Sequence, residues 1–329
     1  MKATRSLRVA VAAALTLSFC QIVARAQDVA YPNRPIKMLV GFGAGGSTDV
    51  AARLVSQKMS EILGQTILVE NRTGASGMLA AEDVAKSPPD GYTLMMASQT
   101  VLAVAPRLYR KVTLDPLKDF AAVAYCGASP LVLVVNPSFP AHTTAEVIAM
   151  AKADPGKINF GTGGLGTTPH MTAELFQYTA GIKMVHVAYR GEAPAINDLL
   201  AGQIPLMFAN LSAVMGNLKA GTLRALAVTG AHRSPSAPDI PTVAESALPG
   251  FEAETWWGIV APAGTPPAIL VKLNAAARKA LADNDTKKRF AELGMTNGGS
   301  SPEELDAYIK SEIAKWSKVI KDANIQPMD

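Results

Sequence analysis

The sequence predicts an α/β protein of two lobes, each on a parallel-rich sheet, joined by two crossing strands. Three observations lead there. Short apolar runs alternate with amphipathic stretches through residues 36–98 in the order βαβαβ, the pattern of a parallel sheet. The device that opens this series, a strand running into a glycine loop and a helix start, returns near residue 158. Apolar runs at 120–136 and 254–260 belong to neither series and read as crossings between them. At 329 residues the chain is long enough for two cores.

The first 26 residues stand apart from that fold. Lys2, Arg5 and Arg8 precede an apolar run from Val9 to Phe19, and Ala24-Arg25-Ala26 supplies a small-x-small cleavage site before Gln27. The run is too short to span a membrane. Leu17-Ser18-Phe19-Cys20 has the outline of a lipoprotein box, but Phe19 is too bulky for the position before a lipidated cysteine. The expectation is soluble export to the periplasm, with cleavage after Ala26. The chain's net charge of +4 resides in this leader, which holds Lys2, Arg5, Arg8 and Arg25 and no acid. The remainder is electrically balanced and has no basic run, which argues against a nucleic-acid partner. Past the leader only Cys126 remains, so no internal disulfide or thiolate metal cluster is expected. Among Ala124, Tyr125, Gly127 and Ala128 it reads as a small core residue.

In order, Ile36, Met38, Leu39 and Val40 form a buried strand, and five Gly and Ala residues surround Phe42. Ser47, Thr48 and Asp49 offer N-cap oxygens; Ala51, Leu54, Val55, Ile62 and Leu63 then recur at helical spacing until Gly64. A strand at 66–69 ends in Glu70-Asn71-Arg72, and Thr73-Gly74-Ala75-Ser76-Gly77 opens a helix reaching about Lys86. After the turn Pro88-Pro89-Asp90-Gly91, a strand at 92–97 ends at Ser98-Gln99-Thr100. Ligands of parallel sheets sit at the carboxyl ends of the strands. Those ends are the 41–49 loop, the 73–77 loop and Ser98-Gln99.

The second series begins after the crossing at 120–136. Thr143 or Thr144 caps a helix through Ala151, and Asp154-Pro155-Gly156 turns into a strand at 158–160. Gly161-Thr162-Gly163-Gly164-Leu165-Gly166-Thr167-Thr168-Pro169-His170 repeats the loop and helix start, with Pro169 suited to the first turn. Strands at 185–188, 205–208 and 223–228 follow, two of them ending at Tyr189-Arg190-Gly191 and Asn210, with a helix at 194–200. Residues 230–250 are turn-rich, the 254–260 strand crosses back, and the rest is helical. Ser301-Pro302-Glu303-Glu304 is a capping box, and Leu305, Ile309, Ile313, Trp316 and Ile320 are the buried stripe of the last helix. The expected division is a signal peptide at 1–26, lobe I at 27–126 and 253–329, and lobe II at 127–252. Two strands joining two lobes make a hinge.

A strand, a glycine loop and a helix N-terminus present backbone N–H groups and a positive dipole end, which is an anion receptor. Two such units in facing lobes suit one cleft. Gly41-x-Gly43-x-x-Gly46 also satisfies the dinucleotide fingerprint, with Glu70 at a second-strand end, so a nicotinamide-dependent oxidoreductase is the rival reading. The export leader and the second copy at Gly161, Gly163 and Gly166 weigh against it. No GxSxG is present; the nearest stretch, Gly74-Ala75-Ser76-Gly77, has the wrong spacing. His142, His170, His186 and His232 contain no HxxxH pair. No catalytic residue, metal or cofactor is therefore expected. His170, in the first turn of a helix, reads equally as a cap-region side chain or a ligand contact. His186 alternates with Val185 and Val187 and reads as structural. Arg190 is the one cation beside a candidate loop and reads first as a solvated loop residue. Trp256 and Trp257 should face opposite ways, one in the core and one walling the cleft.

With these residues assembled, the chain resembles the Bug-type (TctC-like) periplasmic receptors of tripartite tricarboxylate transporters. The resemblance rests on YPNRPIKMLVGFGAGGSTDVAARL, ENRTGASGMLAAEDVAKSPPDGYTL, NFGTGGLGTTPH, YRGEAPAINDLLAGQIPLMFAN, PTVAESALPGFEAETWWGIVAPAGTP and the closing helices, in order along nearly all of the chain past the leader. It implies a two-lobed periplasmic-binding-protein fold of type II, a Venus flytrap without enzymatic activity. It also implies a small organic carboxylate as ligand and, as partner, a membrane permease of one large and one small subunit. A ligand-presenting role beside a membrane sensor kinase uses the same flytrap and is the alternative; either receptor would be a monomer. By the resemblance, ligand-contacting positions fall at Phe42, Gly43, Ala44, Gly45, Gly46, Ser47 and Asp49, with Asp49 bracing its loop, and at Gly163, Gly164, Thr167, Thr168 and His170. The remaining wall would come from Thr73, Ala75, Ser76, Ser98, Gln99, Tyr189, Arg190, Gly191 and Asn210. Members of the family take varied carboxylates, so the resemblance does not select one.

Overall fold

The computed structural model describes residues 31–327; the leader, and with it the cleavage and lipidation expectations, lies outside them. Strand β1 (Ile36–Val40) is buried at four of five positions and feeds the first glycine loop and helix α1 (Ser47–Leu63), which Gly64 ends in a left-handed conformation. The helix cap differs from expectation. Gly46 occupies the N-cap without a side-chain bond, while Ser47, Thr48 and Asp49 lie inside the first turn. Strand β2 (Ile67–Asn71), a short 3-10 turn (Ala75–Gly77), α2 (Met78–Ala85) and β3 (Thr93–Ser98) complete the first series. A π-type turn (Thr100–Val104) then runs into α3 (Ala105–Leu108) and α4 (Pro116–Asp119), an excursion the apolar pattern did not announce.

Strand β4 (Phe120–Val135) is the longest strand described, and its last ten residues are buried without a break. Lobe II follows with α5 (Thr144–Ala153), capped by Thr143, then β5 (Asn159–Thr162), α6 (Thr168–Ala180), β6 (Val185–Ala188), α7 (Glu192–Leu200), β7 (Leu206–Asn210), α8 (Leu211–Lys219), β8 (Arg224–Val228) and α9 (Val243–Ser246). The chain returns through β9 (Glu254–Pro262) to α10 (Pro267–Ala282), α11 (Asn284–Glu292), β10 (Thr296–Asn297) and α12 (Pro302–Asp322). The capping box on α12 forms as read, with Ser301 and Glu304 exchanging bonds. Along its stripe Leu305, Ile309 and Trp316 are buried, while Ile313 and Ile320 are half-buried.

The strands bond in the order β2-β1-β3-β9-β4-β7-β5-β6, with β8 and β10 also on β4. Within each lobe the sheet is parallel, β2-β1-β3 in one and β7-β5-β6 in the other. β4 and β9 run antiparallel to one another, from Phe120 opposite Pro262 to Pro130 opposite Glu254. Register shifts between Ala122 and Ala124 and between Tyr125 and Gly127 bend β4 along this stretch. Gly127 has φ +143, and a Cβ there would lie 2.1 Å from the Thr296 carbonyl, so glycine is what lets β10 approach. The far half of β4, Leu131–Val135, pairs with β7 and β8 of lobe II. Thr229 ties the two crossings together. Its hydroxyl accepts from the Leu131 N–H at 2.9 Å and lies 2.5 Å from the Ala253 carbonyl.

Candidate functional site

The two glycine loops lie on opposite walls of one cleft. Phe42, Gly43, Ala44, Gly46, Ser47 and Thr48 line it from lobe I, and Gly163, Thr167, Thr168, Pro169, Arg190, Gly191 and Asn210 from lobe II. Ser98 and Thr255 belong to the same lining, and the space, open mouth included, is about 650 Å3. A contiguous opening is walled by Thr73, Ala75, Ser76, Gly164 and Tyr189, together with Tyr109 and Leu165. Gly45 is not in this lining; it borders a recess beside α7 that shares Gly46, Glu192 and Ala193 with the cleft. The expected residues thus mostly converge.

The first loop is held by charge. The Asp49 carboxylate accepts from the Gly45 N–H at 2.9 Å, Arg53 Nε at 2.9 Å and Asn71 Nδ2 at 2.8 Å. The Asn71 amide also donates to the Phe42 carbonyl at 2.9 Å, so both ends of the loop hang on one pair of side chains. Burial works to raise the Asp49 carboxyl, but the bonds from Arg53, Gly45 and Asn71 outweigh it and hold the group below its ordinary value. Asp49 does not line the cleft; it braces the loop from behind.

The second loop is held by neutral groups. Thr167 Oγ1 donates to the Gly164 carbonyl at 2.7 Å, and the Gly166 N–H donates to His170 Nδ1 at 3.1 Å. A Cβ on Gly163 would lie 2.9 Å from the Glu192 backbone nitrogen, so this glycine packs the loop against the start of α7. His170 is buried behind the loop, with its ring centroid 4.3 Å from that of His186, and is not part of the cleft lining. Burial and the neighbouring His186 push its pKa down to about 3, and burial takes His186 down to about 4. Both rings are neutral at ordinary pH. His186 bonds Thr162 Oγ1 at 2.6 Å, the structural role read for it.

The lobes also touch directly. The Thr168 N–H donates to Thr100 Oγ1 at 3.1 Å, and Ser76 Oγ donates to the Leu165 carbonyl. Met171 of α6 packs into the lobe I cluster of Ala103, Val104, Leu108 and Trp316.

Besides Gly45, Asp49 and His170, which lie outside the cleft lining, two further expectations give way here. Gln99 turns away from the cleft, donating to the buried Glu312 carboxylate at 3.0 Å; that carboxylate also accepts from Trp256 Nε1 and Trp316 Nε1. Trp256 and Trp257 do face opposite ways, but both are buried and neither walls the cleft. Trp257 acts one layer behind it, donating from Nε1 to Thr48 Oγ1 at 3.0 Å. Cys126 is a buried thiol pushed up to about 12 by burial, as a core residue should be.

The residue that the pattern missed is Glu192, at the first position of α7. Its carboxylate accepts from the Asn210 N–H at 2.7 Å and from Asn210 Nδ2 at 2.9 Å. An acid in a helix's first turn reads as a dipole partner and points to nothing more. Three residues of the cleft lining, Ser98, Asn210 and Thr255, have a buried side-chain oxygen (Oγ, Oδ1 and Oγ1) without a hydrogen-bond partner among the described residues. Among those residues no group of His, Cys, Asp and Glu could hold a metal ion, and no helix is long and apolar enough to cross a membrane.

Comparison with known proteins shows the family. BugT of Bordetella pertussis is 39% identical over 293 residues, covering 89% of this chain and 90% of BugT. Among solved structures, R. palustris Rpa4515 with adipate superposes with a TM-score of 0.88 at 38% identity, over 91% of this chain and all of that one. MatC from Rhodopseudomonas palustris with bound malate gives 0.84 at 33% identity, over 88% of this chain and all of that one. The family so sampled consists of solute-binding receptors and not enzymes, which removes the oxidoreductase reading. The profile of the tripartite tricarboxylate transporter family receptors, TctC, matches residues 51–325, and this chain belongs to that family.

Proposed function

We propose that this protein is an extracytoplasmic receptor that takes a small organic carboxylate between its lobes and delivers it to a tripartite tricarboxylate-type permease of one large and one small membrane subunit. One observation carries the reading. Two glycine loops, each running into a helix N-terminus, face a single cleft in which Arg190 is the one basic lining residue. The adipate and malate held by the two solved relatives are ligands of that chemical class.

The ligand docks on one loop, and closure about β4 and β9 brings the other loop to it and expels water. Each charge-assisted N–H bond contributes about 1.5–3 kcal/mol, so several hold a carboxylate without a guanidinium clamp. Ligand favours the closed form only through its greater affinity for that form. The contacts fall to the residues of the two loops that line the cleft, with Ser98, Tyr189, Arg190, Gly191 and Asn210 beside them. Lobe I is assigned to 27–126 and 253–329 and lobe II to 127–252, and the receptor acts as an exported monomer cleaved after Ala26.

A thermal-shift screen of mono-, di- and tricarboxylates with NAD and NADP on the same plate tests this. At a hundredfold excess over Kd, a ligand adds about 2.7 kcal/mol of stability, a shift of several degrees. At least one acid is expected to give it, and native mass spectrometry should show the same acid bound. A nucleotide response without any acid response would overturn the reading.

A further inference from the structure

Of the residues lining the cleft, two carry charge: Arg190, which is exposed, and Glu192. The Glu192 carboxylate is an oddity in a pocket for anions. It reaches from the first turn of α7 to the end of β7, where Oε1 takes the Asn210 N–H at 2.7 Å and both oxygens lie within 3.0 Å of Asn210 Nδ2. Burial raises the Glu192 carboxyl above its ordinary value, and the bonds from Asn210 and, across the cleft, the Ser47 N–H, the first of α1, work against that rise. Every one of these neighbours donates and none accepts. That pattern of donors suits the ionised carboxyl. The protein has placed an acid against amides of its own anion receptor.

We infer that Glu192 is a specificity residue, selecting carboxylates that carry a hydrogen-bond donor, an ammonium or hydroxyl group, over dianionic dicarboxylates of the same length. The inference rests on the carboxylate-receptor reading above. A ligand's first carboxylate is met by loop amides. A second one near Glu192 meets a like charge in a desolvated setting, where repulsion is far stronger than in water. A donor in the same place meets an acceptor whose remaining lone pairs can take it. Ser98, Asn210 and Thr255 belong to the same lining, and their Oγ, Oδ1 and Oγ1 atoms are buried acceptors without partners among the described residues.

Matched acids provide the test, with calorimetry on the wild type and on Glu192→Gln: malonate with 3-aminopropanoate and 3-hydroxypropanoate; succinate with 4-aminobutanoate and 4-hydroxybutanoate; glutarate with 5-aminopentanoate and 5-hydroxypentanoate. In the wild type, the best donor-bearing acid of a set should bind at least about tenfold more tightly than its dicarboxylate. Glu192→Gln keeps the shape and removes the charge, and should shrink that ratio about tenfold or reverse it. A wild type that prefers the dicarboxylates, whether because Glu192 is protonated or because it does not meet the ligand, overturns the inference. So does a ratio that the substitution leaves within about twofold. In both cases carboxylate binding itself survives, and so does the receptor reading. Only if no acid of any kind binds either protein do the two fall together. The wild-type ratios decide the matter even if the variant folds poorly.

Discussion

The two glycine loops begin from nearly the same sequence and are held in different ways. Gly41-x-Gly43-x-x-Gly46 hangs on an ionised side chain, Asp49, itself tied to Arg53 and Asn71. Gly161-x-Gly163-x-x-Gly166 hangs on Thr167, a neutral His170 and backbone packing against α7. The glycines differ as well. At Gly43 a Cβ would meet nothing within 4 Å, whereas at Gly163 it would press on the backbone of Gly191 and Glu192. The same spacing therefore encodes a loop open to the cleft in lobe I and a loop wedged into its own lobe in lobe II. A glycine motif reports a backbone path, and its surroundings decide what the missing side chain is for.

The sharpest test applies one substitution to both loops. Gly163→Ala forces its new methyl against backbone at 2.9 Å, which cannot yield cheaply. The variant should lose about 1–3 kcal/mol in a denaturant titration and most of its carboxylate affinity. Gly43→Ala should keep its stability to within about 0.5 kcal/mol, because the methyl projects into open space. It should still bind more weakly, since that space is the cleft. Equal stability losses in the two variants would erase the distinction between the loops.

A second test separates charge from packing. Asp49→Asn keeps the shape but loses the ionic bonds to Gly45 and Arg53, and should cost about 1–3 kcal/mol. The folded pKa of Asp49 is depressed. Its stabilisation is therefore full above the unfolded value near about 4 and is lost as pH falls through the folded value. Acid titration of the melting temperature should show wild type falling more steeply than Asp49→Asn below about pH 4. Parallel curves would mean that the carboxylate does not carry the first loop.

What the sequence made legible was local. Strand, glycine loop and helix start are neighbours in the chain, and a sixteen-residue strand of apolar residues at Phe120–Val135 has no room within one small sheet. What it hid was pairing at a distance. Gln99 looked like pocket wall because it follows a strand end, but its partner Glu312 lies 213 residues away, in the last helix. One of Trp256 and Trp257 looked like pocket wall because strand neighbours alternate, yet both faces of β9 are buried, so alternation could not tell core from cleft. Glu192 was passed over because an acid at a helix start has an ordinary local explanation, and its bonds to Asn210 arise only from the meeting of α7 with the end of β7.

The smallest expected effect concerns the cation. Arg190 lines the cleft and is exposed, so water and salt screen its guanidinium from any bound anion. If loop amides carry the carboxylate in both lobes, Arg190→Ala should weaken binding by only about 0.2–1 kcal/mol, less than about fivefold. Raising salt should narrow even that gap, because an exposed charge acts mainly through the long-range field. A guanidinium that clamped the ligand after closure would behave otherwise. Its loss would cost about 2–5 kcal/mol and would be nearly indifferent to salt. Calorimetry of wild type and Arg190→Ala at low and high ionic strength distinguishes the two. A large, salt-independent loss would move the anion site from the paired loops to the end of β6, and the contrast between the loops would then bear on stability alone.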